Sequence, residues 1–253
     1  FWEHPGKITR NTKFDLRMLY PYSSVYGDPF TDSEIDILPE GMLERLAMTG
    51  INGIWLQSVL YTMVPFPFDP SISAGWEQRI KGLNRLIEKA GKYGIGVYLY
   101  MNEPRAMPAE FFKKYPELAG SVNEDYTCMC TSKKEVRDYL CNACERLFNE
   151  APGLAGVLTI TMSENLTNCY SRGVNNCPIC SKRKPYEVIG EVNRCIEEGV
   201  HKASPKAKVI CWSWAWKEQN GWKNEDVDKA VECLPSNIRL MCTSESEMEY
   251  TIA

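Results

Sequence analysis

Two carboxylates in this chain stand where strongly apolar runs end. The run from Gly156 to Thr161 closes on Met162-Ser163-Glu164-Asn165, and the run from Ile95 to Met101 closes on Asn102-Glu103-Pro104-Arg105. Runs of this kind read as buried parallel strands, and in an α/β barrel the C-terminal strand tips converge on the rim where chemistry is done. A lone glutamate at such a tip is as readily a solvated loop residue. Two on neighbouring strands suit paired acid and base work: one protonates a leaving oxygen while the other stabilises or attacks the carbon it leaves. A glutamate beneath aromatic walls can have its pKa raised enough to serve as that acid near neutral pH. Glu164 is the candidate general acid, and Glu103 is its partner or a hydroxyl-binding residue.

Other strand endings add polar and aromatic groups. Arg17 and Tyr20 belong to the first, Gln57 and Tyr61 to the second, Asn102 and Arg105 to the third, and Ser163 and Asn165 to the fourth. The fifth carries Trp212, Trp214 and Trp216, which period-two alternation places on one side of a strand; the sixth is followed by Glu245. Amides and carboxylates reading hydroxyls, with aromatic faces against C–H groups, suit a neutral polyhydroxylated ligand. The candidate ligand contacts are therefore Arg17, Gln57, Asn102, Arg105, Ser163, Asn165, Trp214 and Trp216. Arg17 could instead neutralise a buried carboxylate, and Trp212 could be packing.

The elements that must hold these residues alternate. Strands are expected over Phe14–Tyr20, Ile51–Leu60, Ile95–Met101, Gly156–Thr161, Lys208–Trp214 and Ile238–Cys242. Between them run amphipathic helices, the clearest stepping through Trp76, Ile80, Leu83, Ile87 and Ala90 and closed by Gly94. Another carries Val136, Leu140, Cys144 and Leu147, with Ser132 and Glu135 spaced as a capping box. Short αβ returns and long βα loops favour a (β/α)8 TIM barrel over an open doubly wound sheet. No glycine-rich dinucleotide or phosphate-binding fingerprint occurs. The expectation is one α/β domain over 1–253, with six βα units visible and the barrel not closed within this chain.

Eleven cysteines are many, and their number is odd. A disulfide-stapled secreted domain would be far shorter, so reduced thiols are the default, which mildly favours a reducing compartment. Because the chain opens on Phe1, the lack of a leader does not exclude a secreted form. Cys177-Pro178-Ile179-Cys180, with Cys169 eight residues before it, has metal-ligand spacing. Cys128, from the Cys128-Met129-Cys130 pair, is taken as the fourth ligand of a structural zinc that would pin the loop beside Glu164. Net charge is -4, so no basic field exists for nucleic acid, and no apolar run approaches a membrane span.

The strand endings resemble glycoside hydrolase family 20, the β-N-acetylhexosaminidases, over roughly Phe14 to Trp216. Phe14-Asp15-Leu16-Arg17 is similar to that family's first strand, Gly50-Ile51-Asn52-Gly53-Ile54-Trp55-Leu56 to its second, and Asn102-Glu103-Pro104 with Pro116-Glu117-Leu118 to its third. The resemblance implies a sugar-cleaving barrel in which Arg17 binds hydroxyls and Glu164 is the general acid. Ser163 stands where the family carries an aspartate that orients the substrate's N-acetyl group, so substrate-assisted cleavage is not implied. A non-catalytic carbohydrate-binding barrel and a metal-dependent hydrolase using the cysteine loop are the competing expectations. An isomerase or lyase on the same barrel also stays open.

Overall fold

A computed structural model describes residues 12–21, 27–31, 34, 36–162, 165–172, 176–216 and 222–242. Ser163, Glu164 and Glu245 lie outside them, as does much of the segment after the first strand.

Six parallel strands form one sheet in sequential order: β1 (Met18–Leu19), β2 (Gly53–Ser58), β3 (Gly96–Met101), β7 (Gly156–Ile160), β8 (Lys208–Trp212) and β9 (Arg239–Met241). Between them come α1 (Glu40–Met48), the short α2 (Leu60–Met63), α3 (Trp76–Gly91), α5 (Lys134–Glu150), α6 (Pro185–Ala203) and α7 (Asn224–Cys233). Strand order that never reverses is barrel winding rather than doubly wound topology. Gly50 and Gly94, the stops after α1 and α3, both have positive φ (87° and 70°), the left-handed geometry that ends a helix and that glycine adopts without a Cβ clash.

The sheet is curled. A flat sheet with strands ~4.8 Å apart would hold its edges β1 and β9 some ~24 Å apart. Instead Asp15, just before β1, accepts from Arg239 at the start of β9 (2.7 Å) and from Lys208 at the start of β8 (3.4 Å). Tyr98, Tyr100, Leu158, Ile160 and Ile210 pack together on one face with Trp55, Trp212, Met18 and Met241, so residues from both edge strands share one cluster. The alternate residues Val97, Leu99, Val157 and Val209 join the helices in the main core. β7 is buried along its whole length, as a strand covered on both faces must be.

One unit has no counterpart in the sequence reading. Between β3 and α5 the chain inserts β4 (Met107–Pro108), α4 (Ala109–Lys114), β5 (Ala119–Asn123) and β6 (Tyr126–Met129), the strands forming a small antiparallel sheet in the order β4-β6-β5. Phe66 is fully buried at the centre of an aromatic cluster that ties this insert to the barrel, contacting Phe68, Phe111 and Tyr139. Within that cluster the Tyr139 hydroxyl is buried and finds no hydrogen-bond partner among the described residues. A buried hydroxyl without a partner destabilises. Tyr139→Phe is therefore expected to leave stability unchanged or to raise it by up to about 1 kcal/mol in urea titration; a clear loss would reveal a partner for the hydroxyl.

The capping box expected at Ser132 does not form. Helix α5 starts at Lys134 with Lys133 at its N-cap and no side-chain cap. The Ser132 hydroxyl lies 3.2 Å from the Cys180 sulfur and accepts from Arg183 (2.6 Å).

Candidate functional site

The C-terminal ends of β2 and β3 and the segment after β7 open onto a cavity of about 480 Å³. Gln57 and Ser58 reach it from the end of β2, Tyr100 from β3, Asn102 and Arg105 from just past β3, and Asn165 from beyond β7. A second cavity of about 300 Å³ shares Arg105 and Asn165 with the first and is walled by Asn123, Glu124 and Tyr126 of the insert. The two adjoin at Arg105 and Asn165 as one polar cleft, and the half-exposed Tyr126 borders the second cavity.

Its floor is held by amide bonds. Asn102 is 3 % exposed; its Nδ2 donates to the Ile160 carbonyl (3.2 Å) and its Oδ1 accepts from Asn165 Nδ2 (3.3 Å). The exits of β3 and β7 are thereby locked together. Four of the eight expected ligand contacts, Gln57, Asn102, Arg105 and Asn165, meet in this cleft. Ser163 and Glu164 fall outside the described residues, although their chain neighbour Asn165 lines both cavities.

Glu103 is near the cleft but does not open into it. It is 1 % exposed; Oε1 accepts from the Leu60 backbone N–H (2.7 Å) and Oε2 from that of Arg105 (2.9 Å). Burial pushes its pKa up to about 7, against the opposing pull of those two N–H groups. The carboxylate joins the loops leaving β2 and β3, and this geometry suits positioning rather than contact with a ligand.

Two expected contacts lie elsewhere. Arg17 precedes β1, at the N-terminal end of the sheet, where its guanidinium donates to the carbonyls of Gly50 and Phe14. That is the opposite end from the cleft, so Arg17 pins a turn rather than reading hydroxyls. Trp216 does not share a side with Trp212 and Trp214. Strand β8 ends at Trp212, Ala215 takes a left-handed φ of 64°, and the reversed chain carries Trp216 into the core. There it stacks on Trp222 (5.5 Å) and donates to Thr161 Oγ1 (3.2 Å). Trp214 is 38 % exposed, edge-on to Trp212, and does not line the described cavities.

Sequence reading missed Asp28 and Arg79, which line the larger cavity as an ion pair (3.2 Å). Arg79 sits on α3 one step from the buried Ile80, so its face gave no sign of a site. Tyr100 could have been found, since alternation puts it on the inner face with Tyr98.

Beside the cleft lies a cluster of buried cysteines. The sulfurs of Cys130, Cys169, Cys177 and Cys180 all fall within 4.8 Å of one another. Cys128, taken above as the fourth ligand, is not in this group: its sulfur lies 3.6 Å from Cys169, while Cys130 lies 3.7 Å from Cys177 and 3.5 Å from Cys180. Hydrogen bonds from Cys130 and Cys169 hold the Cys180 thiol well below its usual range. The other cysteines of α5, α6 and β8 (Cys141, Cys144, Cys195, Cys211) are buried and free, and burial pushes the Cys195 and Cys211 thiols up to about 12.

No protein-family model and no curated protein matches this sequence. Solved structures do match. Over 90% of this chain, and 24% of the other, the fold is similar to a GH138 enzyme targeting pectin rhamnogalacturonan II, with a TM-score of 0.50 and 15% identity. A family 5 glycoside hydrolase from Prevotella bryantii gives 0.49 at 13% identity over 87% of this chain and 55% of its own. A β-N-acetylhexosaminidase from Bacteroides fragilis gives 0.48 at 15% identity over 80% and 42%. The chain has a glycosidase-like fold. It spans about a quarter to a half of the length of these neighbours, and the likeness is one of fold. Among the described residues, no helix is long and apolar enough to cross a membrane.

Proposed function

We propose that this chain is part of a (β/α)8 barrel that binds a carbohydrate at the C-terminal ends of its strands and cleaves a glycosidic bond, with Glu164 as the general acid. The observation that carries the reading is the cleft in which Gln57, Asn102, Arg105 and Asn165 converge from three strand endings, with Glu164 adjacent in the chain to Asn165. Side-chain amides and a guanidinium suit hydroxyl groups. Two cavities in series suit an oligosaccharide rather than a single sugar, with Tyr126 offering a ring for stacking. Glycoside hydrolase neighbours on the same fold, and the family 20 resemblance at Glu164, agree with this assignment. Ser163 in place of the family's aspartate argues for a substrate cleaved without help from an N-acetyl group.

One observation favours a second reading, a barrel that binds carbohydrate without cleaving it. The sealed Glu103 presents no carboxylate to the cleft as partner to Glu164. Glu164→Gln separates the two. The enzyme reading expects kcat to fall on the order of 10²–10⁴-fold while oligosaccharide binding, followed by calorimetry, persists. Binding without any hydrolysis by the unmodified protein across a glycan panel would establish the binding barrel instead. A metal-dependent hydrolase finds no support in the cysteine cluster, whose four sulfurs are all buried and leave no open position for a substrate.

A further inference from the structure

Cys130 follows β6 of the inserted hairpin, whereas Cys169, Cys177 and Cys180 belong to the loop between β7 and α6. All four are at most 1 % exposed. They pack with Cys128, Leu166 and Val188 and the half-buried Ala106 and Tyr170 in one buried cluster. Four thiols brought this close from two chain segments need a reason, because none is joined in a disulfide. A tetrahedral ion with metal–sulfur bonds of ~2.3 Å has sulfur–sulfur edges of ~3.8 Å. The separations of 3.7 Å and 3.5 Å from Cys130 to the Cys-x-x-Cys pair fit such an edge, and a 4.8 Å limit over all pairs fits one ion and no larger cluster.

The surroundings are built for thiolates. The Cys180 N–H points at the Cys177 sulfur (3.5 Å), and the Ser132 hydroxyl reaches the Cys180 sulfur while accepting from the Arg183 guanidinium. Outer groups of this kind orient and stabilise metal ligands. Gly120 leaves the room: a Cβ there would sit 2.7 Å from the Cys169 sulfur and 2.8 Å from that of Cys128.

We propose that Cys130, Cys169, Cys177 and Cys180 bind one zinc ion, a closed structural site that fastens the loop leaving β7 to the inserted hairpin. Coordination displaces the four thiol protons to solvent and leaves every ligand position filled by sulfur. The Cys-x-x-Cys loop contributes two ligands, and Cys128 stands outside the set beside Cys169.

The test uses the whole chain, purified in reducing buffer without chelators. Metal analysis is expected to find about one zinc per chain, and replacement by Co²⁺ to give a sulfur-to-cobalt absorption band in the near ultraviolet. The band should weaken in Cys130→Ser and in Cys177→Ser, with looser metal binding, and keep its full intensity in Cys128→Ser. Stripping the metal should lower Tm by more than about 5 °C, and added Zn²⁺ should restore it. Less than about one fifth of a zinc per chain, with no cobalt band after reconstitution of the unmodified protein, overturns the site. Iron in place of zinc overturns the choice of metal. A band undiminished in Cys130→Ser and weakened in Cys128→Ser overturns the ligand set.

Discussion

Glu103→Ala should destabilise the protein by about 3–5 kcal/mol in mildly acidic buffer, a large share of a domain's usual margin of about 5–15 kcal/mol. The side chain is fully enclosed, and its two oxygens are the acceptors for the Leu60 and Arg105 N–H groups. Alanine strands both donors, at about 1–3 kcal/mol each, and leaves a void beside them. The effect depends on pH in a defined direction. Burial raises the folded pKa to about 7 from the 4.5 of an exposed glutamate, so between those values the folded protein holds a proton that the unfolded chain has lost. The group's contribution is therefore fully present below about pH 4.5. It declines as pH rises to about 7, by on the order of 3 kcal/mol, and is flat beyond. Urea titrations at pH 5, 6, 7 and 8 should show the gap between native and variant narrowing as pH rises. A gap that widens would mean that the folded protein prefers the ionised carboxylate.

Gly199→Ala, ordinarily a helix-stabilising change worth up to about 1 kcal/mol, should here cost about 2–3 kcal/mol. Helices α5 and α6 touch backbone to backbone at this position. A Cβ on residue 199 would lie 2.1 Å from the Cys141 carbonyl oxygen and 2.8 Å from Cys144 Cβ. A backbone oxygen has no rotamer to swing aside, so the helices must part, and the buried row of Leu140, Cys144 and Leu147 loses its fit to Val192, Ile196 and Val200. Gly41 in α1 is the internal control: nothing lies within 4 Å of a Cβ there, and Gly41→Ala should stabilise by about 0.5–1 kcal/mol. Equal Tm shifts for the two variants would show that the helices have slack at Gly199.

The barrel was legible because its elements repeat two simple periods. Apolar steps of three and four placed Ile80, Leu83 and Ala90 on the buried side of α3, and continuous apolar runs marked β3 and β7. The inserted hairpin was not, because β4 spans two residues and its partners are too short for alternation to show. Trp216 was misplaced by extending a period of two past the left-handed Ala215, where it no longer applies. Arg17 was placed among the strand endings because the run from Phe14 to Tyr20 reads as one strand, whereas β1 begins only at Met18 and leaves Arg17 before its start. Between Cys128 and Cys130 sequence alone could not choose, since residues two apart on a strand share a face. Ser132 had the right type for a cap, but a thiol from a distant loop took its hydroxyl.

The ion group of Asp15, Lys208 and Arg239 gives the curled sheet an unequal grip on its two ends. Neighbouring strands are laced by backbone hydrogen bonds, which ordinary salt leaves intact; the two edge strands, besides sharing the inner apolar cluster, are tied at their N-terminal ends by exposed side-chain charges. Such charges weaken as ionic strength shortens the Debye length. The hydrogen bond from Arg239 and the charge of Lys208 hold the Asp15 carboxyl below its usual range. The curled sheet thus carries a charged clasp at the N-terminal ends of its edge strands, and rising ionic strength is a condition that loosens it.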